Sequence, residues 1–175
     1  GNIHVLRALG ELHGISAEAV GEVLDGERIV SSTRIRDALK DGKPQEAARL
    51  LTRPYTIIGR VEHGDKNGRK LGFPTANIDM GNYLRPHYGI YAVRGLLPDG
   101  RVLNGAANLG IRPSFDPPKE LLEPHFFDFD GDLYGQTIAV QLIHHLRPEA
   151  KFDSMDALCT QMQADCDEAR RLLTM

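Results

Sequence analysis

The stretch Gly59–Asn77, GRVEHGDKNGRKLGFPTAN, sets glycines at 59, 64, 68 and 72 among Lys66, Arg69 and Lys70. Glycine lets a backbone come close to phosphate oxygens and turn N–H groups toward them, while basic side chains neutralise the charge. The GxxxxGK[ST] spacing of a Walker loop is absent, and an ordinary glycine-rich turn would use the same residues. Phe73-Pro74-Thr75-Ala76-Asn77 follows at once. On a strand over Thr75–Ile78, Thr75 and Asn77 share one face. A hydroxyl and an amide carbonyl are hard oxygen donors, the kind Mg²⁺ takes beside water and substrate phosphates; the same pair could instead satisfy a turn. An attacking alcohol would need a base, and Glu123, in Leu-Leu-Glu-Pro-His-Phe-Phe-Asp, is the candidate. Shelter by Leu121, Leu122 and the phenylalanines is expected to raise its pKa to a useful value. Arg147, before Pro148, and Phe152, at the entry of the last helix, offer a charged and an aromatic contact to a flat ligand, or simply pack that helix entry.

These residues need a frame to hold them. From Tyr55 onward short β-rich runs alternate with Gly, Pro, Asn and Asp turns, predicting strands at Tyr55–Val61, Thr75–Ile78, Gly89–Leu97, Val102–Leu109, Pro124–Phe129 and Thr137–His145. Leu97-Pro98-Asp99-Gly100-Arg101 reads as a hairpin between two of them. Many short strands with little helix between them argue for an antiparallel barrel or sandwich. Met155, Leu158, Met162, Cys166, Ala169 and Leu173 then recur at helical spacing, predicting one apolar stripe packed on the sheet. The first fifty residues read as α/β: a helix through Ile3, Leu6, Leu9 and Leu12, short strands at Ala19–Leu24 and Ile29-Val30 about an Asp25-Gly26 turn, and helices through Ile35–Leu39 and Ala47–Leu51. One or two strands are too little sheet to bury a core. The expectation is therefore a fragment, residues 1–52, of a larger α/β domain, loosely attached to a domain over residues 53–175.

Composition narrows the partners. Residues 115–175 hold 12 acidic and 5 basic residues, so residues 1–114 are net positive although the chain carries −3. Between Arg53 and Pro74 there are 5 basic and 2 acidic residues, a local patch suited to a small anion such as a nucleotide rather than to nucleic acid. No apolar run approaches the length that spans a bilayer and no secretory leader is evident, which predicts a cytoplasmic protein. Cys159 and Cys166 fall seven residues apart in one helical segment, about 10 Å of rise, too far to pair.

Taken in order and spacing, HGDKNGRKLGFPTANI, GAANLGIRPSF, LEPHFFDFDGDLYG and LRPEAKFDS resemble the riboflavin kinase domain of bacterial bifunctional FAD synthetases, and the stand-alone riboflavin kinases of eukaryotes. The resemblance covers roughly Pro54 to Leu173 and implies a mainly β fold, a small antiparallel Greek-key barrel of about six strands with a C-terminal α-helix. It further implies ATP- and Mg²⁺-dependent phosphorylation of the riboflavin 5′-hydroxyl to FMN, with riboflavin/FMN and ATP/ADP as small-molecule partners. Carried over by position, Thr75 and Asn77 would hold Mg²⁺ and the ATP phosphates, and Gly64, Gly68, Arg69 and Gly72 would cover the nucleotide. Glu123 would be the base, and Arg147 and Phe152 would border the flavin. Ser114 departs from the threonine common in the family's RPTF.

Upstream, Ile29-Val30-Ser31-Ser32-Thr33-Arg34-Ile35-Arg36 resembles the ISSTxIR segment that ends the adenylyltransferase (nucleotidyltransferase) domain of the same enzymes. The likeness implies a remnant ATP site at Ser31, Ser32, Thr33 and Arg36, although hydroxyls at a helix start also serve as an ordinary cap. The HxGH-type motif and most of that domain's sheet are absent, so the chain is expected to begin inside it and to stop at FMN. Two alternatives remain at this stage: a small barrel that stores FMN without turnover, and an oligonucleotide-binding barrel. The Thr75/Asn77 pair with Glu123 argues against the first, which needs neither metal nor base, and the acidic C-terminal third and few aromatic–basic pairs argue against the second.

Overall fold

The computed structural model describes residues 2–64, 68, 71–112 and 118–174. These form two compact units, dividing after Ser31.

In the first unit, Asn2 caps helix α1 (Ile3–Leu12) by accepting the His4 N–H at 2.9 Å. A minimal hairpin of β1 (Leu24–Asp25) and β2 (Arg28–Ile29) follows, two residues a strand, with Gly26 at φ +62° in its turn. Val20 is 95% exposed, so the longer strand expected over Ala19–Leu24 does not form: no neighbour is there to cover it.

The second unit opens with α2 (Ser32–Lys40) and α3 (Pro44–Leu51). Gly42, at φ +69°, lets the Lys43 N–H return to the Ala38 carbonyl at 2.8 Å, and Pro44 restarts the helix where an N–H would go unused. This helical pair is not a loose appendage. Ala38, Leu39 and Ala47 are buried with Ile35, Tyr55 and Leu84, and the Leu39 carbonyl accepts the His87 N–H at 2.9 Å. The boundary between compact units therefore lies 21 residues before the 52/53 division expected from texture.

Six antiparallel strands close into a barrel: β3 (Tyr55–Glu62), β4 (Asn77–Asp79), β5 (Gly89–Leu96), β6 (Val102–Arg112), β7 (Lys119–Phe126) and β8 (Thr137–Arg147), in the spatial order β3-β4-β7-β6-β5-β8. The run β8-β5-β6-β7 is a Greek key, three successive strands with the fourth returning beside the first. All six expected strands are present. β7 begins five residues earlier than expected, because Pro124 lies inside the strand rather than opening it. Proline is tolerated there because the ladder to β4 ends at it: the Ala76 N–H donates to the Pro124 carbonyl at 2.9 Å, and Pro124 has no N–H to return. Ile57, Ile78, Tyr91, Val93, Leu109, Leu122, Val140 and Leu142 fill the interior.

Helix α4 (Met155–Leu173), capped by Ser154, closes the chain. Its apolar stripe splits in two. Cys166, Ala169 and Leu173 are buried on Ala92, Ala106 and Phe127, whereas Met155 is exposed and Leu158 and Met162 line a cleft. Both cysteines are free, and burial pushes the Cys166 thiol up to about 11. Among the described residues no helix is long and apolar enough to cross a membrane.

Candidate active site

Three of the sequence candidates, Asn77, Glu123 and Arg147, fall along one line of cross-strand neighbours. Ile78 pairs with Leu122, so one residue back Asn77 stands across from Glu123. Glu123 pairs with Asn108, Asn108 with Ile90, and Ile90 with Arg147. Cross-strand partners share a face, and here it is the outer one, since the adjacent Ile78, Leu122, Leu109 and Tyr91 point into the core. Four inter-strand steps of about 4.8 Å make the row roughly 19 Å long. That suits a site with a phosphoryl donor at one end and an extended acceptor at the other.

At the β4 end Gly64 and Gly68 lie against the oxygen pair. A Cβ built on Gly64 would stand 2.5 Å from Asn77 Nδ2 and 2.9 Å from its Oδ1, so the loop backbone rests on the buried carboxamide. A Cβ on Gly68 would be 3.5 Å from Thr75 Oγ1. Gly72 turns at φ +85°. Thr75 lies just ahead of β4 rather than in it. It also lines a narrow hollow of about 60 Å³ with Val61, Ala76, Phe126, Phe129 and Tyr134. The His63 and Tyr134 rings pack 3.8 Å apart beside Gly64 in sequence. Arg69, Lys66, Lys70 and Ser114 lie outside the described residues.

Glu123 is not sheltered by hydrocarbon as expected. Leu121 and Leu122 are buried, while the Glu123 carboxylate pairs with the Arg112 guanidinium. Arg112 also reaches Glu149 Oε1 at 3.4 Å, so two carboxylates share one cation. Beyond them opens a cleft of about 350 Å³ between the barrel and α4, within the range of small-molecule sites. Ile90, Asn108 and Arg112 line it from the strands, Phe152 from the connection, and Leu158 and Met162 from α4.

Arg147 borders the cleft but is not a free positive charge. Its Nε and Nη2 donate to Asp165 at 2.9 and 2.7 Å, Gln161 adds a third hydrogen bond to that carboxylate at 3.0 Å, and the guanidinium lies 5.7 Å from the Phe152 ring centroid. Asp165 is 7% exposed, so this pair pins α4 to the barrel and frames the cleft. Asn108, Arg112 and Glu149 were missed as site residues. Asn108 and Arg112 stand in the GAANLGIRPSF segment, but only the register of Asn108 with Glu123 and the Arg112–Glu123 ion pair bring them to that carboxylate.

Ser32, Thr33 and Arg36 are exposed on the first turns of α2, where Arg36 Nη1 donates to Ser32 Oγ at 3.3 Å. Ser31 belongs to the first unit. No described contact joins Ser32, Thr33 or Arg36 to the barrel row.

Residues 51–173 match the Flavokinase family, described as riboflavin kinase. The chain belongs to that family. Bifunctional riboflavin kinase/FMN adenylyltransferases are similar over nearly all of it: 44% identical in Haemophilus influenzae, covering 97% of this chain and 55% of the relative, and 38% in Escherichia coli, covering 94% and 53%. The chain thus spans about half the length of the curated relatives it matches. Two solved structures share the fold. One, titled a macrolide-efflux protein from Streptococcus pneumoniae, has a TM-score of 0.78 at 36% identity over 93% of this chain and 53% of its own. A riboflavin kinase from Trypanosoma brucei has a TM-score of 0.50 at 23% identity over 69% and 80%.

Proposed function

We propose that this chain transfers the γ-phosphoryl group of ATP to the ribityl 5′-hydroxyl of riboflavin, giving FMN and ADP. The observation that carries the reading is the row Asn77–Glu123–Asn108, which sets a carboxylate between a glycine-covered oxygen pair and an open cleft.

The donor end binds the triphosphate through loop backbone N–H groups. Thr75 Oγ1 and Asn77 Oδ1 fit Mg²⁺: both are neutral hard oxygens, with phosphates and water left to complete the shell. When bound, that ion neutralises charge developing across the β- and γ-phosphates. The resident pair holds the terminal phosphate one strand away from Glu123. The cleft holds the flavin with its hydroxyl beside that carboxylate. Glu123 takes the hydroxyl proton as the oxygen attacks in line. Arg112 holds Glu123 Oε2, leaving Oε1 for the hydroxyl, and Glu149 keeps a second anion within reach of that cation. Positioning and charge neutralisation supply most of the acceleration, and the base about 10²–10⁴-fold.

Residues 1–52 are read as the end of an adenylyltransferase domain, with Ser31, Ser32, Thr33 and Arg36 its ATP-contacting corner, and the whole protein as one that also converts FMN to FAD in the cytoplasm. Storage of FMN without turnover is less favoured, since it needs neither the oxygen pair nor the base. Macrolide efflux stays with the protein so titled. Incubating the chain with riboflavin, ATP and Mg²⁺ and separating the flavins tests the reading: FMN should accumulate and stop on chelation. Undiminished turnover in excess EDTA would remove the metal assignment, and absence of FMN the activity.

A further inference from the structure

We propose that Asn108 is a specificity residue that reads the polyol chain of the acceptor, its side-chain oxygen accepting a secondary hydroxyl close to the one Glu123 deprotonates. The inference rests on riboflavin being the acceptor and adds how the cleft chooses it.

Asn108 Oδ1 is buried and, among the described residues, meets no hydrogen-bond donor. Leaving a buried acceptor unpaired costs stability, so such an atom in a native cleft calls for a partner from outside the chain. Its location says which. Asn108 lines the cleft and is the direct cross-strand partner of Glu123, which puts their Cβ atoms about 4.5–5.5 Å apart on one face. An acceptor whose terminal hydroxyl sits at Glu123 therefore presents its next atoms to Asn108. In a ribityl flavin those atoms are the secondary hydroxyls. The three-ring system hangs from the far end of the chain, toward Ile90, Phe152, Leu158 and Met162, and its one N–H lies on the ring edge away from the ribityl group. The other polar groups do not compete for the role. Arg112 is held by Glu123 and Glu149, and Arg147 by Asp165. A carboxamide oxygen can only accept, so it selects an O–H donor and is left orphaned by a chain carrying hydrogen at that carbon.

The test compares riboflavin with synthetic flavins lacking the 4′- or the 3′-hydroxyl, measuring kcat/KM for ATP-dependent phosphorylation in the wild type and in Asn108→Leu. The wild type is expected to lose about 10- to 100-fold on one of the two deoxyflavins, an unpaired buried oxygen being the cause. Asn108→Leu should lose a similar factor on riboflavin and treat riboflavin and that deoxyflavin alike to within about threefold. Equal wild-type rates on all three flavins would overturn the proposal, whether or not the variant folds. So would a variant that keeps the wild-type discrimination. A wild type that phosphorylates none of the flavins refutes the riboflavin reading itself, a separate outcome.

Discussion

Substituting Gly64 by alanine tests whether the glycine loop positions the metal-side oxygens. The added Cβ would lie 2.5 Å from Asn77 Nδ2, 2.8 Å from Cγ and 2.9 Å from Oδ1. Ordinary carbon contacts begin near 3.4 Å, so the whole carboxamide or the loop has to move by about 1 Å. Asn77 is 8% exposed and short, and cannot simply swing into solvent. A misplacement of that size in a positioning group costs about 10²-fold in rate, against an overpacking cost of about 1–3 kcal/mol in stability. Gly64→Ala is therefore expected to lower kcat about 100-fold and to raise the Mg²⁺ concentration needed for half-maximal rate, with cooperative unfolding retained. Gly100→Ala, in the turn between β5 and β6, is the control. At φ +89° it strains the backbone, yet its Cβ meets nothing within 4 Å, so it should cost stability of about 1 kcal/mol and little kcat. Initial rates at varied Mg²⁺ and a thermal melt on both proteins decide it. If Gly64→Ala keeps kcat within about threefold, the loop does not hold Asn77 in place for catalysis.

Glu123→Gln should lower kcat by about 10²-fold or more with riboflavin binding nearly unchanged, and retention of over half the wild-type kcat would exclude Glu123 as base. Removing residues 1–31 should leave the unfolding midpoint of the remaining chain within a few degrees, whereas removing 1–51 strips buried Leu39 and Leu50 from the second unit. At about 1.5–3 kcal/mol for each leucine, the longer deletion should lower the midpoint by roughly 10 °C. Burial, and then the His87 ring 5.3 Å away, hold the His145 imidazole below its ordinary pKa, with Tyr91 on its other side. The folded state thus prefers the neutral ring while the unfolded chain takes up a proton from about pH 6.5 downward, so stability is full above that pH and falls below it. Thermal midpoints from about pH 8 to about pH 5.5 should show the fall, and His145→Gln should flatten part of it, the half-buried His144 ring supplying the rest.

Local physics was enough for the existence of the barrel strands and the final helix. Period-two runs broken by Pro, Gly and Asp marked six strands, and the spacing from Met155 to Leu173 marked the final helix, because both patterns depend only on near neighbours in the chain. The residue types that suit phosphate, Mg²⁺ and proton transfer were legible for the same reason. What lies beside what was not. Only closure of the barrel sets Asn77, Glu123, Asn108 and Arg147, spread over 71 residues, into one outer row. The expected apolar shelter of Glu123 failed because alternation along β7 turns Leu122 inward, while β6 brings Arg112 to the carboxylate. Arg147 was legible as a charged contact for a flat ligand, but its pairing with Asp165 was not, because α4 brings that partner from 18 residues on. The helices at 32–51 read as loosely attached because their cover, Tyr55 and Leu84, comes from beyond their own stretch of sequence. Register and burial are sums over distant parts of the chain, and no local window contains them.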